Sequence, residues 1–253
     1  MPYFVKTPYL PTANVTHILA GTALQPYEKA LSDFQIACIY SKPIDNLDIS
    51  VKNHLDLAVF PCGSKDFILD SSQSKLFETL TSLGARPQYS RASATNGYPQ
   101  EAWLNCVRIG NCLLGNPKTV DIKILEYCQN HRVSICTVKQ GYTKCSVAVV
   151  SENALITDDT GIARAAERDK LDVLLVKKGS VRLNGYPYGF VGGCCSLISK
   201  DMMLFIGNWK MHTNAEAISA FLRNYHIYPE SLSSDELTDI GSFIPLFQQE
   251  EIV

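Results

Sequence analysis

No stretch of about 18 apolar residues occurs in this chain of 253 residues, which excludes a membrane-spanning helix. Charge is scarce and balanced, with 23 Lys and Arg against 25 Asp and Glu and a formal net charge of −2. A dedicated nucleic-acid binder carries a basic excess, so no nucleic-acid partner is expected. Met1 to Pro11 has no apolar core leading to a small-residue cleavage site, so no secretory leader is expected. No C-x-x-C occurs and no His/Cys cluster has zinc spacing; neither a metal centre nor a cofactor is expected. Low-complexity linkers are also missing, and the most loop-like stretch is Arg91 to Gln100.

What is present is a hydrophobic fraction of 46% and nine cysteines. An odd number leaves at least one unpaired within the chain. Cys38, Cys106 and Cys136 sit in apolar runs, where free cysteine packs as a small hydrophobe. Free thiols place the chain in a reducing cytoplasm. Cys194 and Cys195 are adjacent, which is poor geometry for joint ligation; they stand as an alternative reactive pair.

A weak internal repeat sets the architecture. Four stretches read as two short apolar strands joined by a turn, followed by an amphipathic helix and often another strand. Their turns are Gly63-Ser64-Lys65, Gly110-Asn111, Ser151-Glu152-Asn153 and Ser199-Lys200-Asp201. Asp158, Asp159 and Thr160 open one helix, and Asp70 and Ser71 precede another, in which Leu76, Leu80 and Leu83 share a face. The corresponding points His54, Asn105, Cys145 and Gly193 recur every 40 to 50 residues or so, the period of a radial array. A fifth unit is split. The segment from Asn14 to Tyr40 supplies strand, helix and strand, and the segment Asp239 to Phe247 supplies the missing strand. The strand at Ser242 to Leu246 is expected to pair near His17 to Gly21 or Gln35 to Tyr40, because pairing the two ends leaves no exposed edge. The fold class expected is α/β, a five-unit pseudo-symmetric propeller closed by its N- and C-terminal segments, forming one domain over residues 1–253.

Ile206 to Met211 (IGNWKM) resembles the GNWKM motif of triosephosphate isomerases. The likeness ends after six residues, and a surface turn ahead of the helix from Asn214 is expected instead. The segment His54-Leu55-Asp56-Leu57-Ala58-Val59-Phe60 resembles the HLD-x-V-F strand of the guanidine-modifying enzymes, the pentein superfamily, which includes arginine deiminases and dimethylarginine dimethylaminohydrolases. The chain is also similar to an uncharacterised bacterial group with that fold. Asn105 to Gly110 is similar to the next unit's first strand, and Lys144-Cys145-Ser146 stands where the family's nucleophilic cysteine begins the unit after. Asp239-Ile240-Gly241-Ser242 resembles a degenerate E-G-G-D turn, with Asp239 at the glutamate position. Val191-Gly192-Gly193-Cys194 is a second such turn without its carboxylate.

The resemblance implies a cysteine hydrolase or transferase acting on a guanidine- or amidine-bearing small molecule. Cys145 is then the nucleophile, His54 the general acid/base and Asp239 its acidic companion. Asp56, Asn105 and Lys144 bind substrate or tune the thiolate. A planar guanidinium with five N–H donors matches carboxylates, so the partner expected is a small cation. The oligomeric state is left open. Cys145 is expected to be the most electrophile-sensitive of the nine cysteines. Tyr186, Tyr188 and Phe190 either wall the cavity or pack their loop, the simpler reading. His17, His131, His212 and His226 read as surface or loop residues. The competing class is a non-catalytic propeller that binds a macromolecule, like the ribosome anti-association factors.

Overall fold

Apolar segments separated by two-residue turns fold this chain into hairpins, and a helix after each hairpin lays a third strand beside the second. The computed structural model describes residues 3–250; residues 1–2 and 251–253 of the expected 1–253 domain lie outside the described residues. The elements are β1 (Tyr3–Phe4), β2 (Val15–Ala20), α1 (Glu28–Asp33), β3 (Ala37–Tyr40), β4 (Val59–Gly63), β5 (Asp66–Leu69), α2 (Ser74–Ser82), β6 (Arg86–Tyr89), β7 (Val107–Ile109), β8 (Cys112–Gly115), α3 (Ile122–His131), β9 (Ser134–Thr137), β10 (Val147–Ser151), β11 (Ala154–Thr157), α4 (Thr160–Arg168), β12 (Asp172–Leu175), β13 (Cys195–Ser199), β14 (Met202–Phe205), α5 (Ala215–Asn224), β15 (Tyr228–Ser231) and β16 (Phe243–Gln248).

The result is α/β, with five separate sheets. Four are three-stranded, with orders β4-β5-β6, β7-β8-β9, β10-β11-β12 and β13-β14-β15; in each the first pair is antiparallel and the second parallel. The remaining sheet has the order β1-β16-β2-β3. There β16 runs antiparallel to β2 with Ile244 opposite Leu19, so the two ends of the chain share one sheet. Three hairpins carry a register shift at the same point, at Gly63, Ser151 and Ser199. Ser151 Oγ donates to Asn153 Oδ1 and Ser199 Oγ to Asp201 Oδ1, the same side-chain clasp in two units. The β7–β8 turn is regular and relies on Gly110 at φ 52°.

Helix starts follow the sequence where a side chain caps them. Asp159 accepts from the amides of Gly161 and Ile162 at the start of α4, and Asp121 from Lys123 at the start of α3. In α2 the buried pair is Leu76 and Leu80. Leu83, expected on the same face, is the residue after the helix and is 40% exposed, because the chain leaves the helical path there. Leu19, Leu55, Leu69, Val107, Val147 and Leu246, from four of the five units, meet in one apolar cluster. The Trp209–Met211 segment is a short turn before α5, as expected.

Two expectations are corrected. His54 to Phe60 is not a continuous strand: Leu55–Leu57 form a 3-10 turn and the strand starts at Val59. Ala58 N–H bonds back to Leu55 O, while Asp56 N–H crosses to Gly241 O; the segment coils to reach the C-terminal turn. Likewise Asn105 precedes β7 rather than starting it. His212 lies in the loop ahead of α5, where it is buried and its Nδ1 accepts from Asn214 N.

Buried aspartates clamp the crossings between units. Asp70 accepts from the amides of Ser72 and Ala94, and Asp121 from those of Lys123 and Ala92. Asp158 Oδ2 accepts from Val191 N at 3.0 Å, but its Oδ1 has no partner among the described residues. Burial pushes the Asp158 carboxyl up to about 7. A carboxyl raised on folding contributes stability that is complete below its unfolded pKa and lost as pH rises through the folded one. Asp158→Asn keeps an acceptor for Val191 and removes the titration. The variant is expected to flatten the stability decline between pH 4 and 8 and to exceed wild type at pH 8 by at most about 4 kcal/mol. Urea midpoints across that range check this; parallel curves for the two proteins contradict it.

Candidate active site

The turns that precede the first strands of the units converge. His54 and Asp56 come from the turn before β4, Asn105 from before β7, Cys145 from before β10, Gly193 from before β13 and Asp239 from before β16. All six are buried.

Cys145 is held from two sides. Its thiol donates to Asp56 Oδ2 at 3.0 Å, and Asn105 Nδ2 donates to its Sγ at 3.0 Å. Cys145 N–H in turn donates to Asn105 Oδ1 at 3.1 Å, so one amide fixes both backbone and sulfur. Asp56 Oδ1 has no partner among the described residues. Asp239 accepts from Phe190 N at 2.9 Å and Gly241 N at 3.0 Å, and its Oδ1 lies 3.9 Å from His54 Nδ1.

Two glycines make this arrangement possible. A Cβ on Gly193 would overlap the Asp239 carboxylate, and one on Gly241, at φ 73°, would overlap His54. The missing carboxylate of the Val191 turn is thus matched by space for Asp239. Lys144 is buried and donates to Gly192 O at 2.8 Å and Val147 O at 3.3 Å; it ties the glycine turn to β10 and does not line the cavity.

A cavity of about 230 Å³ opens onto His54, Cys145 and Asp239. Asp56 and Asn105 lie behind the thiol, outside the cavity lining. Tyr186, Tyr188 and Phe190 do line it, so they are a cavity wall and not merely loop packing. Glu101 and Tyr142 also line it and hydrogen-bond each other. Sequence reasoning misses that pair: its only signal is position, each residue a few places ahead of a unit's first strand. No lysine or arginine among the described residues lines the cavity.

Electrostatics correct the expected reactivity. Burial, then the charges of Asp56 and Asp239, push the Cys145 thiol well up, so it rests as a thiol. Burial also raises Asp239, with His54 pulling the other way. Cys112 goes down instead, to about 7, chiefly through the Cys136 thiol and then Ser134. Of these two thiols, Cys112 is the one whose surroundings favour the thiolate. Cys194 and Cys195 are fully enclosed and both thiols donate to Val191 O; the Cys195 thiol, and then burial, raise Cys194.

The fold is shared with known enzymes. Inosamine-phosphate amidinotransferase from Streptomyces griseus superposes with a TM-score of 0.60 over 99% of this chain and 98% of its own, at 9% identity. Dimethylarginine dimethylaminohydrolase from Pseudomonas aeruginosa gives 0.55 over 87% and 92%, at 10% identity. Agmatine deiminase from C. jejuni gives 0.53 over 89% and 90%, at 9% identity. All three are members of the pentein superfamily, so the resemblance expected from the HLD segment holds at the level of fold. No curated protein sequence matches. Residues 18–244 match a family described as "Family of unknown function (DUF6873)".

The glycine at position 193 gives a direct check on the site's packing. Gly193→Ala is expected to displace Asp239 and to destabilise the protein by about 1–3 kcal/mol, as overpacking does. A urea midpoint equal to wild type contradicts the packing described.

Proposed function

The chain belongs to that DUF6873 family, and on the geometry of its site we propose that it is a cysteine hydrolase or amidinotransferase of guanidine- or amidine-bearing small molecules. The observation that carries the reading is the Cys145 thiol on Asp56, in a cavity shared with the His54–Asp239 pair. A binding module gains nothing from burying two carboxylates beside a thiol, since uncompensated buried charge is costly.

In this reading a guanidinium is the missing counterion. Its N–H groups bond the Asp239 carboxylate at the cavity wall, and its charge offsets the two anions, Asp239 and the Asp56 carboxylate behind the thiol, that hold the thiol protonated. The thiol proton then passes to His54. The Cys145 thiolate adds to the guanidinium carbon; the C–N bond breaks, and the amine leaves with the proton from His54. Water, or an acceptor amine, adds to the thiouronium carbon and gives a proton to His54. The C–S bond breaks to release a urea or a new guanidine, and the proton returns to the sulfur. Asn105 positions the thiol, and Lys144 holds the glycine turn that admits Asp239.

The lining supports a substrate class. With Glu101 and Asp239 in the wall and no lysine or arginine, a substrate tail that is apolar or cationic fits, and a carboxylate does not. The five sheets are read as blades of one closed propeller domain, supported by the pairing of β16 with β2. No helix among the described residues is long and apolar enough to cross a membrane, and nine free cysteines support a reducing, cytoplasmic setting.

The test is alkylation by chloroacetamidine, a cationic amidine, in a Cys112→Ser background, with the adduct located by peptide mass spectrometry. The adduct is expected on Cys145, slowed about tenfold or more by Asp56→Asn or Asp239→Asn, as the loss of one charge-assisted hydrogen bond implies. An alkylguanidine is expected to protect Cys145 at concentrations where arginine does not. Labelling spread over several cysteines, or unchanged in both variants, overturns the reading; protection by arginine alone overturns the substrate class.

A further inference from the structure

Away from the cavity, the second and third units meet through a set of donors that the proposed chemistry does not use. In β8 and β9, which are parallel neighbours, Cys112 is opposite Ser134 and Leu114 opposite Cys136. With side chains alternating along a strand, Cys112 and Cys136 share one face of that sheet. The C-terminal end of α4 packs on β9, and Asp169 is the residue that caps it. The two Sγ atoms and a carboxylate oxygen of Asp169 all lie within 4.8 Å of one another. Cys136 is buried, Cys112 half-buried and Asp169 exposed, so the group has a closed side and a side open to water.

Asp169 is poorly placed for a carboxylate without a counterion. It stands at the negative end of the α4 dipole, where its own backbone N–H already serves the carbonyls of Ala165, Ala166 and Glu167. No lysine, arginine or histidine among the described residues forms an ion pair with it.

We propose that Cys112, Cys136 and Asp169 form a binding site for a thiophilic divalent cation, with zinc as the best fit. Two thiolates and one carboxylate oxygen, with solvent water as the fourth ligand, make a tetrahedral set. Zinc–sulfur bonds of about 2.3 Å place the two sulfurs roughly 3.8 Å apart, so closing the site asks for adjustments of about an ångström or less. Binding one cation displaces the two thiol protons to solvent and changes no oxidation state. The ion would pin the end of α4, in the unit that carries Cys145, to β8 and β9, in the unit that carries Asn105. It would brace the two units whose contact fixes the thiol, and it takes no part in the proposed reaction.

Cobalt titration of the reduced, chelator-stripped full chain tests this. One equivalent of Co²⁺ is expected to develop a sulfur-to-cobalt charge-transfer band that zinc then abolishes. Cys112→Ser and Cys136→Ser remove the band and Cys145→Ser keeps it. Asp169→Asn, an exposed change that spares the sheet, weakens binding by about tenfold or more. One equivalent of zinc raises the thermal midpoint of wild type and not of Cys112→Ser. No charge-transfer band in the reduced protein overturns the proposal, as does a band that survives both Cys112→Ser and Asp169→Asn. A Cys112–Cys136 disulfide formed in air by a protein that takes up no cobalt when reduced would make the pair redox-active, and overturns it as well.

Discussion

Two buried carboxylates beside one buried thiol are the constraint around which this molecule is arranged. Asp239 is buried in the cavity wall, and its charge is met by two backbone amides and by His54 at 3.9 Å. Asp56 receives the Cys145 thiol on one oxygen and has no partner among the described residues on the other. Carrying such groups into the interior is costly, and the surrounding turns are shaped by it. Gly193 and Gly241 lack side chains where Asp239 and His54 need the space, and Lys144 spends its donors tying the Gly192 carbonyl to β10. The site is therefore short of positive charge, and that deficit is what a guanidinium would fill.

The repeat explains how five distant segments reach one place. In each unit the chain turns just before its first strand, and those turns carry His54 and Asp56, Asn105, Cys145, Gly193 and Asp239. A turn frees a side chain from the strict alternation of a strand, so neighbours such as Lys144 and Cys145 can both be buried and yet bond to different partners. The buried aspartates between second strand and helix then fix the path to the next unit. Pairing of β16 with β2 brings Asp239 beside His54, although the two residues are far apart in sequence.

Much of this was legible locally. Two-residue turns with Gly, Ser, Asn and Asp mark the hairpins, and Asp159 marks the start of α4, because those signals act within a few residues. The convergence of His54, Asp56, Asn105, Cys145 and Asp239 was legible only through the period of the repeat joined to a family resemblance. What sequence concealed depends on contacts between units. The 3-10 turn at Leu55 forms because Asp56 must reach Gly241, and nothing in an apolar HLDLAVF run announces that. Lys144 looked like a thiolate partner until the carbonyls of Val147 and Gly192 claimed it. Glu101 with Tyr142, and Cys112 with Cys136 and Asp169, join residues from loops or strands whose spacing has no motif.

The central claim is that Cys145 rests as a thiol and becomes a thiolate when a cation fills the deficit around it. It is tested most directly by the pH dependence of Cys145 alkylation with two reagents of the same shape, cationic chloroacetamidine and neutral chloroacetamide. The account predicts that the neutral reagent's rate at Cys145 keeps climbing above pH 9, about the ordinary thiol range, because burial and two carboxylates raise the thiol. The cationic reagent should instead level off at a lower pH. Superimposable profiles for the two reagents would contradict it.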